Sequence, residues 1–403
     1  MRRVVITGAG TLNPLGADTA QTCAALRAGK CAIGPLSCRD VARLTIQIGA
    51  EIRGFDPAAH FARNSLSLLD RFSQIALVSA RQAVAQSGLE IDAALGLRAG
   101  VVMGTAGGGN LTVDDNYRTV YEEGKNRVHP LVVPRLMHNA AASHISMEFG
   151  LKGPSWTVST ACASANHAMG QAFHMVRGGG ADVMLTGGSD AMLGFGGIKA
   201  WEGLRVMSRD TCRPFSRDRS GLVQGEGGAV FVFEAFEHAK ARGAEILAEV
   251  AGFGMSADAG DIVMPDQDGP LRAMRAALAD AGLNHEDVDY VNAHGTGTAA
   301  NDRTEAAALR VLLGDHLDRC PVSSTKSMHG HLIGGTSAVE LLACVMALRE
   351  HVIAPTVNFT EVDPDCALDP VPNEAREARV QVAMSNAFAF GGLNAVLVLR
   401  SAP

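Results

Sequence analysis

The order of short and long apolar segments is the feature that most restricts the fold of this chain. Short apolar runs, the expected form of buried strands, alternate with longer segments whose apolar residues recur at helical spacing. The strand-like runs include residues 3–7, 99–103, 181–185, 229–234, 289–292 and 380–384. The helical segments include residues 72–88, 235–243, 271–282, 299–314 and 337–350. This alternation predicts an α/β fold with mainly buried sheets.

The series of strands and helices starts again near Gly252. Residues 229–234 and 235–243 close a first series, and the helical segment at 271–282 opens a second one. No linker rich in proline and serine separates the two series, and no short-period repeat is visible. We therefore predict two α/β halves, residues 1–251 and 252–403, with any duplication preserved in structure rather than in sequence.

Composition and charge exclude several classes of protein. The 403 residues, 47% of them hydrophobic, suffice for a large core. A net charge of −7 without a basic patch argues against a nucleic-acid binder. The chain has no uninterrupted apolar stretch of about 18 residues, so no membrane span is expected. The N-terminal apolar run is too short for a signal peptide. The eight cysteines show no metal-ligand spacing, so a reduced, cytoplasmic setting without a structural metal is expected.

One cysteine lies where a strand is expected to pass into a helix. Cys162 follows the strand-like residues 158–161 and precedes the small, helix-compatible residues 163–172. A cysteine that only fills a core needs no such surroundings, whereas a nucleophile does, because a substrate must approach it closely. The N-terminus of a helix also favours the thiolate through its dipole and its unpaired N–H groups.

Three further polar segments follow predicted strands or precede a helix. They are residues 292–298, 323–331 and 385–394, which contain His294, His331 and a glycine-rich turn with two phenylalanines. Loops at the carboxyl ends of strands are where α/β folds place their sites. A thiolate can take up an acyl group from a thioester, and two histidines can stabilise an enolate formed on a second substrate. The set therefore suits carbon–carbon bond formation between two thioesters.

These motifs, in this order, resemble the elongating β-ketoacyl-acyl carrier protein synthases of fatty-acid and polyketide synthesis. The similarity runs essentially end to end, and its pattern is nearest to the nodulation ketosynthase and to ketosynthases of type II polyketide pathways. The segments that carry it are residues 160–164, 213–228, 292–298, 324–331 and 388–392. The resemblance implies a thiolase fold, with two similar α/β halves in a five-layered αβαβα arrangement that is usually dimeric.

The resemblance also implies roles for individual residues. Cys162 would be the nucleophile, and His294 and His331 would promote decarboxylation of malonyl-carrier protein and stabilise the enolate. Lys326 would orient His331, and Glu340 would support the site through a polar network. No cofactor would be needed, because the loss of carbon dioxide drives the condensation.

Other residues would bind and admit the substrate. The backbone N–H groups of Cys162 and Phe390 would form the oxyanion hole, and Phe390 would also act as a gate. The remaining residues implied for substrate binding are Thr296, Thr298, Phe388, Gly107, Gly391 and Gly392. Partners would be an acyl carrier protein and a second subunit, either identical or related, such as a chain-length factor.

The chain departs from its housekeeping relatives at several places. Gly107 stands where those relatives carry a bulky aliphatic residue, so we expect a longer or wider acyl pocket. Residues 63–70 carry few basic side chains, which leaves Arg127 and Arg205 as candidate contacts for an acidic carrier protein. Residues 261–265 are also unlike the housekeeping pattern. We therefore predict a ketosynthase of a specialised pathway that accepts unusual, for example polyunsaturated, acyl chains.

Three alternatives stay open at this stage. The first is the housekeeping elongation enzyme. The second is a non-catalytic chain-length factor, which typically lacks the cysteine present here as Cys162. The third is a thiolase acting on coenzyme A thioesters, which would use a second cysteine near its C-terminus, where this chain has none after Cys366.

Several nearby polar residues are expected to have no catalytic role. His167 and His329 are predicted to be structural. Asp302 and Glu305 are predicted to stabilise the start of the helix at 299–314 by their charge.

Overall fold

The structure, a computed structural model, describes residues 1–402. Its strands are β1 (Val4–Leu12), β2 (Gly34–Pro35), β3 (Ile48–Gly49), β4 (Ala99–Gly104), β5 (Ser155–Val158), β6 (Val183–Asp190), β7 (Gly227–Ala235), β8 (Ala248–Ala257), β9 (Tyr290–Asn292), β10 (Val322–Ser323), β11 (Val352–Ile353), β12 (Arg376–Glu377), β13 (Val382–Ala389) and β14 (Leu393–Arg400). Its α-helices are α1 (Thr19–Arg27), α2 (Arg63–Leu66), α3 (Arg71–Ser87), α4 (Ala93–Gly96), α5 (Asn110–Tyr117), α6 (Val132–Leu136), α7 (Ala140–Phe149), α8 (Ser164–Arg177), α9 (Phe195–Leu204), α10 (Phe236–Ala241), α11 (Asp268–Ala281), α12 (Ala299–Leu313), α13 (Lys326–His329) and α14 (Thr336–Glu350).

Ten strands form a continuous sheet that consists of two blocks with the same pairing pattern. The first block has the order β1-β7-β6-β4-β5 and the second has the order β8-β14-β13-β9-β10. In each block the first two ladders are antiparallel and the last two are parallel. The blocks meet where β1 runs antiparallel to β8, with Val4 opposite Val250. This repetition confirms the predicted fold of two similar α/β halves.

Helices cover both faces of each block and create five layers. Helices α3 and α7 pack on the outer face of the first block, and α11 and α12 pack on the outer face of the second. Helices α8 and α14 lie between the blocks, where one apolar cluster joins residues of both blocks. The site residues at the starts of α8 and α14 are therefore held by the most deeply buried layer of the molecule.

The first strand is longer than the sequence predicted. It continues beyond Thr7 to Leu12 because Gly8 and Gly10 allow α3 to lie directly on it. A Cβ atom at Gly8 would lie 2.1 Å from the carbonyl oxygen of Ala83, so no larger residue fits. These two glycines thus serve the close packing of a helix on a strand.

The predicted division between residues 251 and 252 falls inside β8, which pairs with β1 of the first half and β14 of the second. The helices predicted at 72–88, 299–314 and 337–350 correspond to α3, α12 and α14 within two residues at each end. Among residues 1–402, no helix combines the length and the apolar character that crossing a membrane requires.

Candidate active site

Most of the predicted site residues line one cavity of about 350 Å³. These are Cys162, His294, Thr296, Thr298, His331, Phe388, Phe390 and Gly392. Lys326 and Glu340 are fully buried and do not line the cavity. Arg205 lies in the wall, whereas Arg127 is exposed elsewhere. The cysteine of the first half and the two histidines of the second therefore face one space.

Cys162 lies in a 3-10 turn, Ala161–Ala163, between β5 and α8. Ala161 has a φ of 46°, a left-handed conformation that is unfavourable for a residue with a side chain. The hydroxyl of Ser164 holds the turn, since it donates to Ala161 O at 2.7 Å and accepts from Thr160 N at 2.9 Å. This strained turn places the sulfur in the cavity wall, just before the first residue of α8.

The Cys162 thiol is protonated at rest. Burial raises its pKa to about 12. The positive charge of Lys326 and the backbone N–H groups of Cys162 and Phe390 lower this pKa, but by less than burial raises it. Because the charged form loses its hydration in this apolar position, burial outweighs the helix-terminus effect that the sequence suggests. The backbone N–H groups of Cys162 and Phe390, which are the expected oxyanion hole, therefore lie beside the sulfur.

His294 is held in place through its backbone by a buried carboxylate. Glu305 of α12 accepts the N–H of His294 and the N–H of Gly295, both at 2.8 Å. It also accepts the side-chain N–H of Asn386 at 3.1 Å. Glu305 is therefore a clamp for the turn after β9, and the prediction that it stabilises the start of its own helix is wrong. Asp302 acts similarly by accepting Phe215 N at 2.8 Å and Gly297 N at 3.2 Å.

Lys326 contacts His294 and not His331, contrary to the expectation from the resemblance. Its ammonium group donates to Glu340 Oε1 at 2.5 Å and to the carbonyl oxygen of His294, and it lies 3.4 Å from His294 Nδ1. The register of the sheet explains this contact. Ser323 pairs with Asn292, so the chain just after β10 runs beside the chain just after β9.

His331 is oriented by the residues that lead into α14. Its Nδ1 atom accepts the backbone N–H of Ile333 at 3.2 Å and lies 2.8 Å from the hydroxyl oxygen of Thr336. That hydroxyl also lies 2.9 Å from Ile333 O, so its one proton is shared between two acceptors, Ile333 O and Nδ1 of His331. No residue in the described range 1–402 contacts Nε2 of His331 with a hydrogen bond. Nε2 is therefore free to meet a substrate.

Both catalytic candidates are neutral histidines with the proton on Nε2. Burial lowers the pKa of His294 and that of His331 well below the usual value, and the charge of Lys326 lowers both further. Because Nδ1 of each ring faces a donor, the remaining proton lies on Nε2. The ring centroids are 5.6 Å apart and the planes are inclined by 82°. Two neutral N–H donors can thus meet at one oxygen that becomes negatively charged.

The turn between β13 and β14 carries Phe390 at the edge of the cavity. Gly391 and Gly392, with φ of 84° and 66°, allow this turn a conformation that other residues rarely adopt. A backbone hydrogen bond of 2.8 Å from Gly391 N to Ile262 O ties it to residues 258–266. Across the cavity, the hydroxyl oxygens of Thr296 and Thr298 lie 2.8 Å apart.

Gly107 does not line the cavity, and the volume that it leaves is filled. A Cβ atom at Gly107 would lie 2.5 Å from the sulfur of Met192. Met192 thus occupies the space where a bulky residue at position 107 would lie. The loop around Gly107 is fixed by the buried carboxylate of Asp190, which accepts the N–H groups of Ala106 at 2.9 Å and Gly107 at 3.0 Å.

Three buried oxygen atoms near the Lys326–Glu340 pair have no hydrogen-bond partner within residues 1–402. They are Asn292 Oδ1, Glu340 Oε2 and Ser385 Oγ. Asn292 and Ser385 are register partners in β9 and β13, and α14, which carries Glu340, packs on both strands. The described residues contain no group of three His, Cys, Asp or Glu side chains suited to a metal.

The sequence interpretation missed two positioning residues, Glu305 and Thr336. A signal for Glu305 exists, since it shares a helical face with the buried residues Asp302, Ala306 and Leu309. A carboxylate on an apolar face must have a buried partner. Thr336 carries no comparable signal. Within residues 1–402, the side chains of His167 and His329 hydrogen-bond only to Thr160, Ala163, Thr325 and Gly330.

Comparison with known proteins gives end-to-end matches. The family described as "Beta-ketoacyl synthase, N-terminal domain" matches residues 1–239, and "Beta-ketoacyl synthase, C-terminal domain" matches residues 247–360. Nodulation protein E of Rhizobium sp. (strain N33) is 52% identical over 399 residues, which cover 99% of each chain. The 3-oxoacyl-[acyl-carrier-protein] synthase 2 of Coxiella burnetii is 42% identical and covers 99% of this chain and 98% of its own.

A solved structure shows the same fold over the whole length. The ishigamide ketosynthase/chain length factor superposes with a TM-score of 0.95 at 37% identity, covering 100% of both chains.

Proposed function

Because the chain belongs to the β-ketoacyl synthase family of acyltransferases, we propose that it condenses an acyl chain held on Cys162 with a malonyl unit held on an acyl carrier protein. One observation carries the assignment of residues. A single cavity contains the Cys162 sulfur and the rings of His294 and His331, which come from opposite halves of the chain. The division into halves 1–251 and 252–403, with the nucleophile in the first and the histidines in the second, is part of this proposal.

The first step transfers the acyl chain to the enzyme. The Cys162 sulfur attacks the thioester carbonyl, whose oxygen accepts the N–H groups of Cys162 and Phe390. The bond to the carrier-protein sulfur then breaks, and the proton of the Cys162 thiol leaves with the released carrier thiol. One thioester replaces another, so the step is nearly balanced in free energy. The raised thiol pKa keeps the proton on sulfur until a carbonyl group is in place.

The second step forms the carbon–carbon bond. The Nε2–H groups of His294 and His331 donate to the malonyl thioester oxygen, which becomes an enolate oxygen as carbon dioxide departs. The enolate carbon attacks the acyl carbonyl on Cys162, and the cysteine leaves as a thiolate that takes a proton from solvent. The negative charge of the original malonyl carboxylate thus passes to sulfur and, once the thiolate is protonated, to the hydroxide left in the solvent. Neutral donors suit this step because they stabilise the enolate oxygen without protonating the carbon.

The polar residues around this pair have supporting roles. Lys326, paired with Glu340, orients His294 and supplies positive charge near the developing enolate. Thr296 and Thr298 hold the phosphopantetheine arm. Phe388 and Phe390 border the acyl chain, and Gly391 with Gly392 lets Phe390 move between the two steps. This chemistry needs no separate cofactor.

The partners we propose are an acyl carrier protein and a second subunit of the same or a related kind. Arg205 at the cavity and the exposed Arg127 are the candidate contacts for the carrier protein. The second subunit would cover β5, which is an edge strand, and nearby exposed apolar residues such as Tyr121 and Val133. A cytoplasmic location fits these partners.

We place the enzyme in a specialised fatty-acid or polyketide pathway. The similarity to nodulation protein E and to the ishigamide ketosynthase/chain length factor supports this placement. The housekeeping elongation reaction is the second candidate, and one observation favours it. Met192 fills the volume that Gly107 leaves, so the acyl pocket is not enlarged in the way the sequence suggested.

Intact-protein mass spectrometry tests the proposal. The wild-type protein and Cys162→Ala would be mixed with a panel of acyl-carrier proteins that carry saturated and unsaturated chains. We expect a mass gain equal to the acyl group in the wild type alone, and the retained chains identify the pathway class. Equal labelling of Cys162→Ala, or no labelling with any chain, would contradict the assignment of Cys162.

A further inference from the structure

An aromatic pair lies at the cavity edge, and only one of its members is on a movable turn. The rings of Trp201 and Phe390 are stacked, with centroids 5.9 Å apart and planes inclined by 27°. Both side chains line the cavity that contains Cys162, and both are partly exposed. The pair therefore lies in the wall of the cavity through which a thioester substrate must approach Cys162.

The two members of the pair differ in how firmly they are held. Trp201 is on helix α9 and packs against a buried apolar cluster that includes Ile198, Met207 and Leu222. Phe390 is on the turn with two left-handed glycines and is held by backbone hydrogen bonds to residues 258–262. Displacement of Phe390 would leave the indole face fixed and uncovered inside the cavity.

An uncovered indole face distinguishes acyl chains by their shape. A planar conjugated chain can stack on the indole and so take the place of the displaced Phe390 ring. A saturated chain has no planar π-system and must also lose rotational freedom to lie flat. On the basis of the proposed function, we propose that Trp201 determines acyl-chain specificity by stacking on conjugated chains that displace Phe390.

Relative loading rates test this inference. One saturated and one all-trans conjugated trienoyl chain of equal length, on the same carrier protein, would be transferred to wild type, Trp201→Phe and Trp201→Leu. Removal of the stack with Phe390 affects the entry of both chains, so the ratio of the two rates isolates the contact with the chain. Phe236→Leu, which removes a half-buried aromatic ring of α10 that does not line the cavity, is the matched control.

We expect Trp201→Leu to lower the conjugated-to-saturated ratio by about two- to tenfold, the range of an aromatic contact. Trp201→Phe should give an intermediate ratio, and Phe236→Leu should match the wild type. An unchanged ratio in both Trp201 variants, or an equal fall in Phe236→Leu, would overturn the inference and leave the proposed function intact. Absence of acyl-enzyme in the wild type with either chain would overturn both.

Discussion

The clamp formed by Glu305 gives a sharp prediction for Glu305→Gln. The carboxylate accepts three N–H groups, from His294 and Gly295 at 2.8 Å and from Asn386 at 3.1 Å. A glutamine side chain keeps one acceptor oxygen and turns the other position into an N–H₂ donor. At least one backbone N–H in this buried turn then faces another donor and has no acceptor.

The magnitude follows from removing a hydrogen bond to a buried charge. Such a bond contributes about 1.5–3 kcal/mol, and the N–H left without a partner adds to the cost. We therefore expect the free energy of unfolding to fall by about 2–4 kcal/mol. The His294 ring follows its displaced backbone, so malonyl decarboxylation should slow by about tenfold or more.

Urea unfolding and a malonyl-carrier-protein decarboxylation assay would measure the two effects. Glu374→Gln is the matched control, because Glu374 is exposed and the same substitution there should change the unfolding free energy by less than about 0.5 kcal/mol. A Glu305→Gln protein as stable and as active as this control would refute the clamp.

Three further predictions concern the thiol, His331 and the acyl pocket. The rate of Cys162 alkylation by iodoacetamide should rise about tenfold per pH unit from pH 7 to 10, because only the thiolate reacts and burial raises the pKa of the thiol to about 12. A plateau in this rate with a midpoint below pH 8 would contradict the raised pKa. Thr336→Val should slow decarboxylation by about fivefold, because one hydrogen bond to His331 is removed, whereas Cys162 acylation should keep the wild-type rate. Equal slowing of both steps would indicate a loss of overall structure and contradict the role of Thr336 at His331. Met192→Ala should allow longer acyl chains onto Cys162, measured by mass spectrometry, because it empties the volume beside Gly107; unchanged chain lengths would show that the pocket ends elsewhere.

The charges around the cavity explain why two neutral histidines can serve one anionic intermediate. Lys326 is fully buried and faces the Glu340 carboxylate, whose pKa burial raises to about 7. Glu305 lies on the other side of the turn that carries His294. The nearby positive charge of Lys326 disfavours protonation of either ring. The rings therefore remain hydrogen-bond donors across the physiological pH range.

The sequence by itself determined the family, the α/β class and most of the predicted residues that line the cavity. It could do so because these properties follow from local patterns, namely strand and helix spacing and motifs such as residues 160–164 and 292–298. The family, the thiolase-type fold and the acyltransferase class are confirmed. The individual site roles stay predictions for the experiments above.

Only the tertiary structure decided which polar groups meet. Lys326 contacts His294 because β10 lies beside β9, and strand register is set by long-range pairing that local sequence does not reveal. Met192 closes the space at Gly107 because a residue 85 positions further along the chain packs there. The thiol remains protonated because burial, a property of the whole fold, outweighs the local effect of the helix terminus.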